Sequence, residues 1–224
     1  MLDLLNILLP TFTVIAIGFC IGKFSKINIS GIVDILFYVG IPALGFASMM
    51  DKKIVLAEAG KVWGSALIIM VGCGIVAWLT FRALRQKHSG LFLPVMMMNT
   101  VNIPFPILSL LFGAEGLSGA ILFYIPNIII MYSLGIIILS RKSWKDGLKE
   151  MAKVPTVYAS VIGLIFNLMS IPVPGVILKQ LSFIGQMAIP LVLLMLGTKL
   201  AVVKITSLPT TLVASGIRLG IGLA

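Results

Sequence analysis

The 224-residue chain is 59% hydrophobic and only 11% charged, with a net charge of +10 and a mean hydropathy of +1.15. Average soluble domains are about 45–50% apolar and about 25% charged, so this composition argues against a soluble enzyme, a disordered chain and a disulfide scaffold. It reads as a multi-span membrane protein, whose partner is the lipid bilayer and not nucleic acid.

A spanning helix needs about 20 mostly apolar residues, and in chain order the runs fall near Leu4–Gly22, Ile32–Met50, Val62–Leu84, Leu91–Gly113, Leu117–Leu139, Thr156–Ile171, Val176–Leu200 and Leu208–Ala224. They are too continuously apolar for barrel strands, which alternate, so the fold class is all-α. The first run is not a cleavable signal peptide: Met1-Leu2-Asp3 has no basic residue, and no small-residue cleavage pattern precedes Lys23. Cys20 and Cys73 lie within apolar runs and read as small hydrophobes. His88, after Arg82, Arg85 and Lys87, reads as a solvated loop residue.

The basic residues set an orientation. Lys23 and Lys26, then Arg82, Arg85 and Lys87, then Arg141, Lys142, Lys145, Lys149 and Lys153, then Lys199 and Lys204 follow the odd-numbered spans. The even-numbered spans are followed by Lys52, Lys53, Lys61 and Lys179. The positive-inside rule then places the N-terminus outside the cell membrane and the 141–154 loop in the cytoplasm, as a hinge between halves 1–140 and 155–224.

The two halves resemble each other. Span 1 reads PTFTVIAIG from Pro10 and span 6 reads PTVYASVIG from Pro155, an offset of 145. Ile41-Pro42 in span 2 matches Ile189-Pro190 in span 7 at 148, and Gly72-Cys73-Gly74 falls on Gly220-Ile221-Gly222. Five spans separate the copies, so the second enters from the opposite side, as in the inverted repeats of secondary transporters. Two full copies need roughly 290 residues, so the second repeat is expected to be truncated here.

Span 4 holds the least ordinary stretch, Asn99-Thr100-Val101-Asn102-Ile103-Pro104-Phe105-Pro106. Pro104 and Pro106 remove backbone donors and break the helix. Asn99, Thr100 and Asn102 are costly in lipid unless they meet partners or a cavity. A half-helix beginning around Pro104 would aim free N–H groups and its positive dipole end at an anion. The alternative is a proline kink whose amides join helices. Asn127 and Tyr132 in span 5 and Gln186 in span 7 are further candidates, with Asp34, Tyr124 and Arg218 as weaker ones. Gly18–Gly22 and Gly216–Gly220 carry small-residue spacings that allow close helix contact. No P-loop, paired carboxylates, Ser/His/Asp grouping, metal-ligand spacing or potassium-filter motif occurs, so neither an enzyme nor a resident cofactor is expected.

In YVGIPALGFASMM, NTVNIPFPI, MAIPLVLLMLGTKLA and IRLGIGLA the chain resembles the auxin efflux carrier family of membrane transporters, microbial members of which are malonate- and malate-permease-like. The resemblance implies ten spans in two inverted repeats of five, with proline-broken spans 4 and 9 crossing at the substrate site. It carries Asn99, Asn102 and Pro106 onto the span 4 site, with Asn127 and Tyr132 from span 5. Pro104 stands where family members commonly have Gly, which puts the position of the break in question. The implied activity is alternating-access transport of a small organic anion, with coupling to protons or sodium and homodimerisation left open. A sodium-coupled bile-acid-type symporter and a non-transporting sensor or scaffold are the competing readings.

Overall fold

The structure, a computed structural model, describes residues 2–25, 27–51, 53–83, 94–97, 99–131, 144–203, 212 and 215–216. Every extended element among them is helical: α1 (Leu2–Phe24), α2 (Ser30–Ile35), α3 (Ile41–Met50), α4 (Leu56–Ala83), α5 (Pro104–Ile130), α6 (Trp144–Met151), α7 (Pro155–Leu168), α8 (Gly175–Gln186) and α9 (Ala188–Val202). Hydrocarbon offers backbone groups no partners, so an apolar chain must satisfy them within helices. Ser30–Met50, Leu56–Ala83, Pro104–Ile130 and Gly175–Val202 are long and apolar enough to cross a membrane, and Leu8–Phe24 and Pro155–Leu168 are shorter apolar helices. The span expected at Leu208–Ala224 lies almost wholly outside the described residues. The polar 141–154 connection carries α6, closed by a Lys153 Nζ to Glu150 Oε1 contact of 2.7 Å.

Three spans are interrupted, each beside a proline. In span 2, α2 and α3 are joined by a π turn, Leu36–Gly40, in which the Ile41 N–H reaches back to the Leu36 carbonyl. Pro42 has no N–H to close the ordinary turn, and one wider turn absorbs the fault. In span 7, α8 ends at Gln186 and α9 begins at Ala188, with Met187 between them and Pro190 just beyond. Span 4 is open at Met97 and from Asn99 to Ile103. At the far end of that span Gly113 takes φ 60°, ψ −142°, a region reserved for glycine, and turns the chain into span 5 within α5.

The described chain divides into two compact units. The first holds residues Met1–Ala59, Asn99–Ile125 and Val154–Val203. Within it, α1 packs on α9 and α3 packs on α7 and α8. Glycine makes these approaches possible. A Cβ on Gly18 would run into the Leu194 main chain, one on Gly22 would lie 2.8 Å from Thr198 Cα, and one on Gly197 would strike the Ile15 carbonyl. Positions 18 and 22 meet 194 and 198, so α1 and α9 run parallel. On the other pair, Gly45 lies against the Ser160 hydroxyl, and a Cβ on Gly163 would stand 3.0 Å from the Phe46 carbonyl. These two contacts also run parallel. Gly18 and Gly163 are 145 apart, and Leu194 and Phe46 are 148 apart, the same offsets as the sequence matches. Thr11 and Thr156 are likewise 145 apart, both are 1% exposed, and neither hydroxyl has a hydrogen-bond partner among the described residues.

The second unit holds Gly60–Met98, Pro126–Lys153 and Lys204–Ala224. Most of α4 belongs to it. Ala66, Met70, Cys73, Ala77 and Phe81 form a buried stripe at helical spacing, while Leu67, Ile68, Val71, Ile75, Trp78 and Leu79 are exposed. An exposed apolar face of this kind is what hydrocarbon tails wet in a spanning helix. Arg82 lies 5.2 Å over the Trp78 ring at the end of the span, an aromatic-basic pair suited to a membrane interface.

One polar clamp was not foreseen. Asn167 at the end of α7 donates from Nδ2 to the Met49 carbonyl at 2.8 Å and accepts from the Ile54 N–H at 2.8 Å. It thereby ties off the end of α3 and the chain leaving it. Ser118 adds a 2.7 Å bond to the Ser48 carbonyl. Asn167→Ala leaves both Asn167 partners buried and unbonded, so it is expected to cost about 2–4 kcal/mol, read as a lower thermal midpoint of the purified protein. Next to this clamp, burial raises the Asp51 carboxyl above its usual range. A raised folded-state pKa means that ionisation opposes folding, so stability falls as pH climbs from the unfolded through the folded value. Asp51→Asn is therefore expected to raise the midpoint at neutral pH, and the gain should vanish below the unfolded pKa.

Candidate functional site

The site grows from the interrupted fourth span. Residues 94–96 form the last helical turn before the break, and the helix resumes at Pro104. Between them, the Asn102 N–H donates to Asn99 Oδ1 at 3.1 Å. This is the side-chain-to-backbone turn that Asn forms when the chain leaves a helix. Asn99 is exposed, Asn102 half-buried and Thr100 buried. The amides thus serve the break itself: the Asn99 side chain closes the turn, and the half-buried Asn102 stands two residues ahead of the new helix start.

The helix does begin at Pro104, as its proline predicted. The donors differ from the sequence expectation. Positions 104 and 106 carry no N–H, and the Ile107 N–H already bonds the Ile103 carbonyl at 3.2 Å. The main-chain donors of the first turn reduce to those of Ile103 and Phe105. Any anion there would depend on those two groups, on the dipole and on side-chain amides. Phe105 is 3% exposed and packs edge-on to Tyr124, with ring centroids 5.8 Å apart and planes at 79°. The ring contact fixes the rotation of the new helix and shows Tyr124 as a packing residue.

Within the first unit the three interruptions meet. Val101, Phe105 and Pro106 of span 4 close around a narrow apolar gap, too tight to admit water, with Ile41 and Leu44 of span 2 and Ala188, Ile189 and Val192 of span 7. The Asn99–Asn102 turn therefore leads, through Val101 and Phe105, to a place where spans 2, 4 and 7 each depart from regular α-helix. Pro106, more than 98% buried, lines that gap. Gln186 ends α8 at the span 7 break, but it is exposed and not among the residues lining the gap. Asn127, directly after Pro126, is 3% exposed and belongs to the second unit. Tyr132 and Arg218 lie outside the described residues. Asp34 is exposed near the start of span 2. The π turn is the feature of this region that sequence reasoning missed. Its only signal was Pro42, at the register of Pro190.

A profile of the family described as membrane transport protein matches residues 4–154 and 144–220. Two curated relatives are similar along most of the chain. An uncharacterized transporter of Methanocaldococcus jannaschii is 26% identical over 201 residues, 81% of this chain and 65% of its own length. An uncharacterized transporter of Methanothermobacter thermautotrophicus is 28% identical over 187 residues, 80% of this chain and 61% of its own length. The chain thus spans somewhat under two thirds of the length of each. It belongs to this membrane transport protein family, in agreement with the resemblance read from spans 2, 4, 7 and 8, and it is an integral membrane protein.

Proposed function

We propose that this member of the membrane transport protein family acts as a secondary transporter for small organic anions, working by alternating access. The observation that carries the reading is the span 4 break. An Asn-closed turn leads into a proline-started half-helix within an apolar span, where the positive end of its dipole suits an anion. Irregular backbone within a span is tolerated where protein buries it or a cavity lines it. The Asn102 carboxamide and the Phe105 N–H would hold the carboxylate, with Asn99 holding the turn, Thr100 and Asn127 adding polar groups, and Gln186 and Tyr132 as outer candidates.

Alternating access needs parts that move against each other. The chain passes between its two compact units at 98/99, within the break, and at 125/126, just ahead of Asn127. The paired offsets of 145 and 148 in both sequence and packing support two inverted copies, with the N-terminus outside by the positive-inside rule. Liposomes containing the full-length protein should accumulate labelled malonate or malate down an imposed proton or sodium gradient. No flux of any organic anion under either gradient would overturn the transport reading.

A further inference from the structure

A second cavity lies away from the span 4 break. It is bounded by Ile21 of α1, Ile29 of the following connection, Ile32 and Leu36 of span 2, and Leu194 and Met195 of α9, and it has a volume of about 130 Å³, room for a stretch of a hydrocarbon chain. Its wall is apolar almost throughout. The one hydroxyl there, Thr198 Oγ1, already donates to the Met195 carbonyl at 2.8 Å. Such a cavity offers nothing to a carboxylate and suits hydrocarbon. From Leu191 to Thr198 its α9 wall runs roughly 10 Å along the helix axis, so its shape is that of a slot parallel to the spans.

The slot ends at two cations. Gly22 packs against Thr198 in the parallel α1–α9 pair, so the next residues, Lys23 and Lys199, stand at the same level in the last turns of both helices. Both are exposed, and neither has an ion-pair partner among the described residues. The Lys23 ammonium lies 5.9 Å from the Phe19 ring centroid and 5.8 Å from that of Phe24, a pairing found where a spanning helix meets the headgroups. Asp34, beside the lining residue Val33, is the carboxylate that the same elements carry near this end, Asp3 lying at the opposite end of α1. Two lysines against one aspartate leave this end net positive.

We propose that the slot is a binding site for an anionic phospholipid, one acyl chain lying between α1, span 2 and α9 and the phosphate held by Lys23 and Lys199. Hydrocarbon in the slot and a negative charge at its mouth satisfy both halves of the site at once. The site is separate from the transported anion, and its test does not involve transport.

Native mass spectrometry of the full-length protein, titrated with equal phosphatidylglycerol and phosphatidylcholine, reads it directly. Wild type is expected to retain phosphatidylglycerol at least about fivefold over phosphatidylcholine. Lys23→Gln with Lys199→Gln should bring that ratio to about one, and Asp34→Asn should raise it. Ile32→Trp, which fills the slot from span 2, should reduce retention of both lipids. These residues are exposed or half-buried, and circular dichroism checks that each variant keeps its helices. Equal retention of the two lipids by wild type, or an unchanged ratio in the double lysine variant, overturns the proposal.

Discussion

Asn102→Ala is expected to reduce organic-anion uptake into liposomes by roughly 10- to 100-fold at limiting substrate while leaving folding intact. The turn at the span 4 break uses the main-chain N–H of Asn102 and the side chain of Asn99, so alanine at 102 keeps the turn and removes only the carboxamide two residues ahead of the half-helix. A hydrogen bond to a charged group contributes about 1.5–3 kcal/mol, which is roughly that range in affinity. The loss should appear mainly as a raised half-saturating concentration. Asn99→Ala makes the complementary test. It removes the acceptor that closes the turn, so it should lower the maximal rate and the thermal midpoint together. If Asn102→Ala transports as wild type does, the break is a structural kink and the substrate site lies elsewhere.

The largest expected effect on folding comes from glycines that no site contains. Gly18→Ala and Gly197→Ala place a methyl group into the Leu194 main chain and the Ile15 carbonyl, respectively. Neither neighbour is a flexible side-chain end, so the helices themselves must separate. Overpacking costs about 1–3 kcal/mol even where side chains can adjust, and here the α1–α9 seam has only backbone to move. Both variants should lose most of the monodisperse peak in detergent size-exclusion. Gly31→Ala is the control, because nothing stands within 4 Å of a Cβ there. A normal elution profile for Gly18→Ala would mean that α1 does not approach α9 as described.

The spans were legible because the membrane demands one thing of each, about 20 apolar residues, and composition records it. The span 4 break was legible because Pro104 and Pro106 stand close together beside Asn99, Thr100 and Asn102, so that missing donors and polar side chains point to the same place. The donors at that break were harder to read. A half-helix start was inferred from the prolines, yet the same prolines strip its N–H groups, and only the Ile107 to Ile103 bond makes the count explicit. The π turn at Leu36–Gly40 left a weak trace because one proline can be absorbed by a kink, a break or a widened turn, and the choice depends on packing. Asn167 escaped notice for a related reason. A single Asn in an apolar run reads as noise until the Met49 carbonyl and Ile54 N–H that it serves, more than 100 positions away, are seen beside it.

The parallel seams also set a timetable. Span 1 closes on α9 and span 2 on α7, so the first two helices find these partners only in segments translated much later. Gly18 and Leu194 are separated by some 180 residues, which synthesis at about 5–20 residues per second covers in roughly 10–35 s. During that interval the glycine face of α1 has only lipid or an insertion chaperone against it. A photo-crosslinker at Ile21, which faces the slot between α1 and α9 and not their glycine seam, should label such neighbours in stalled nascent chains until α9 has entered the membrane, and the protein's own α9 afterwards.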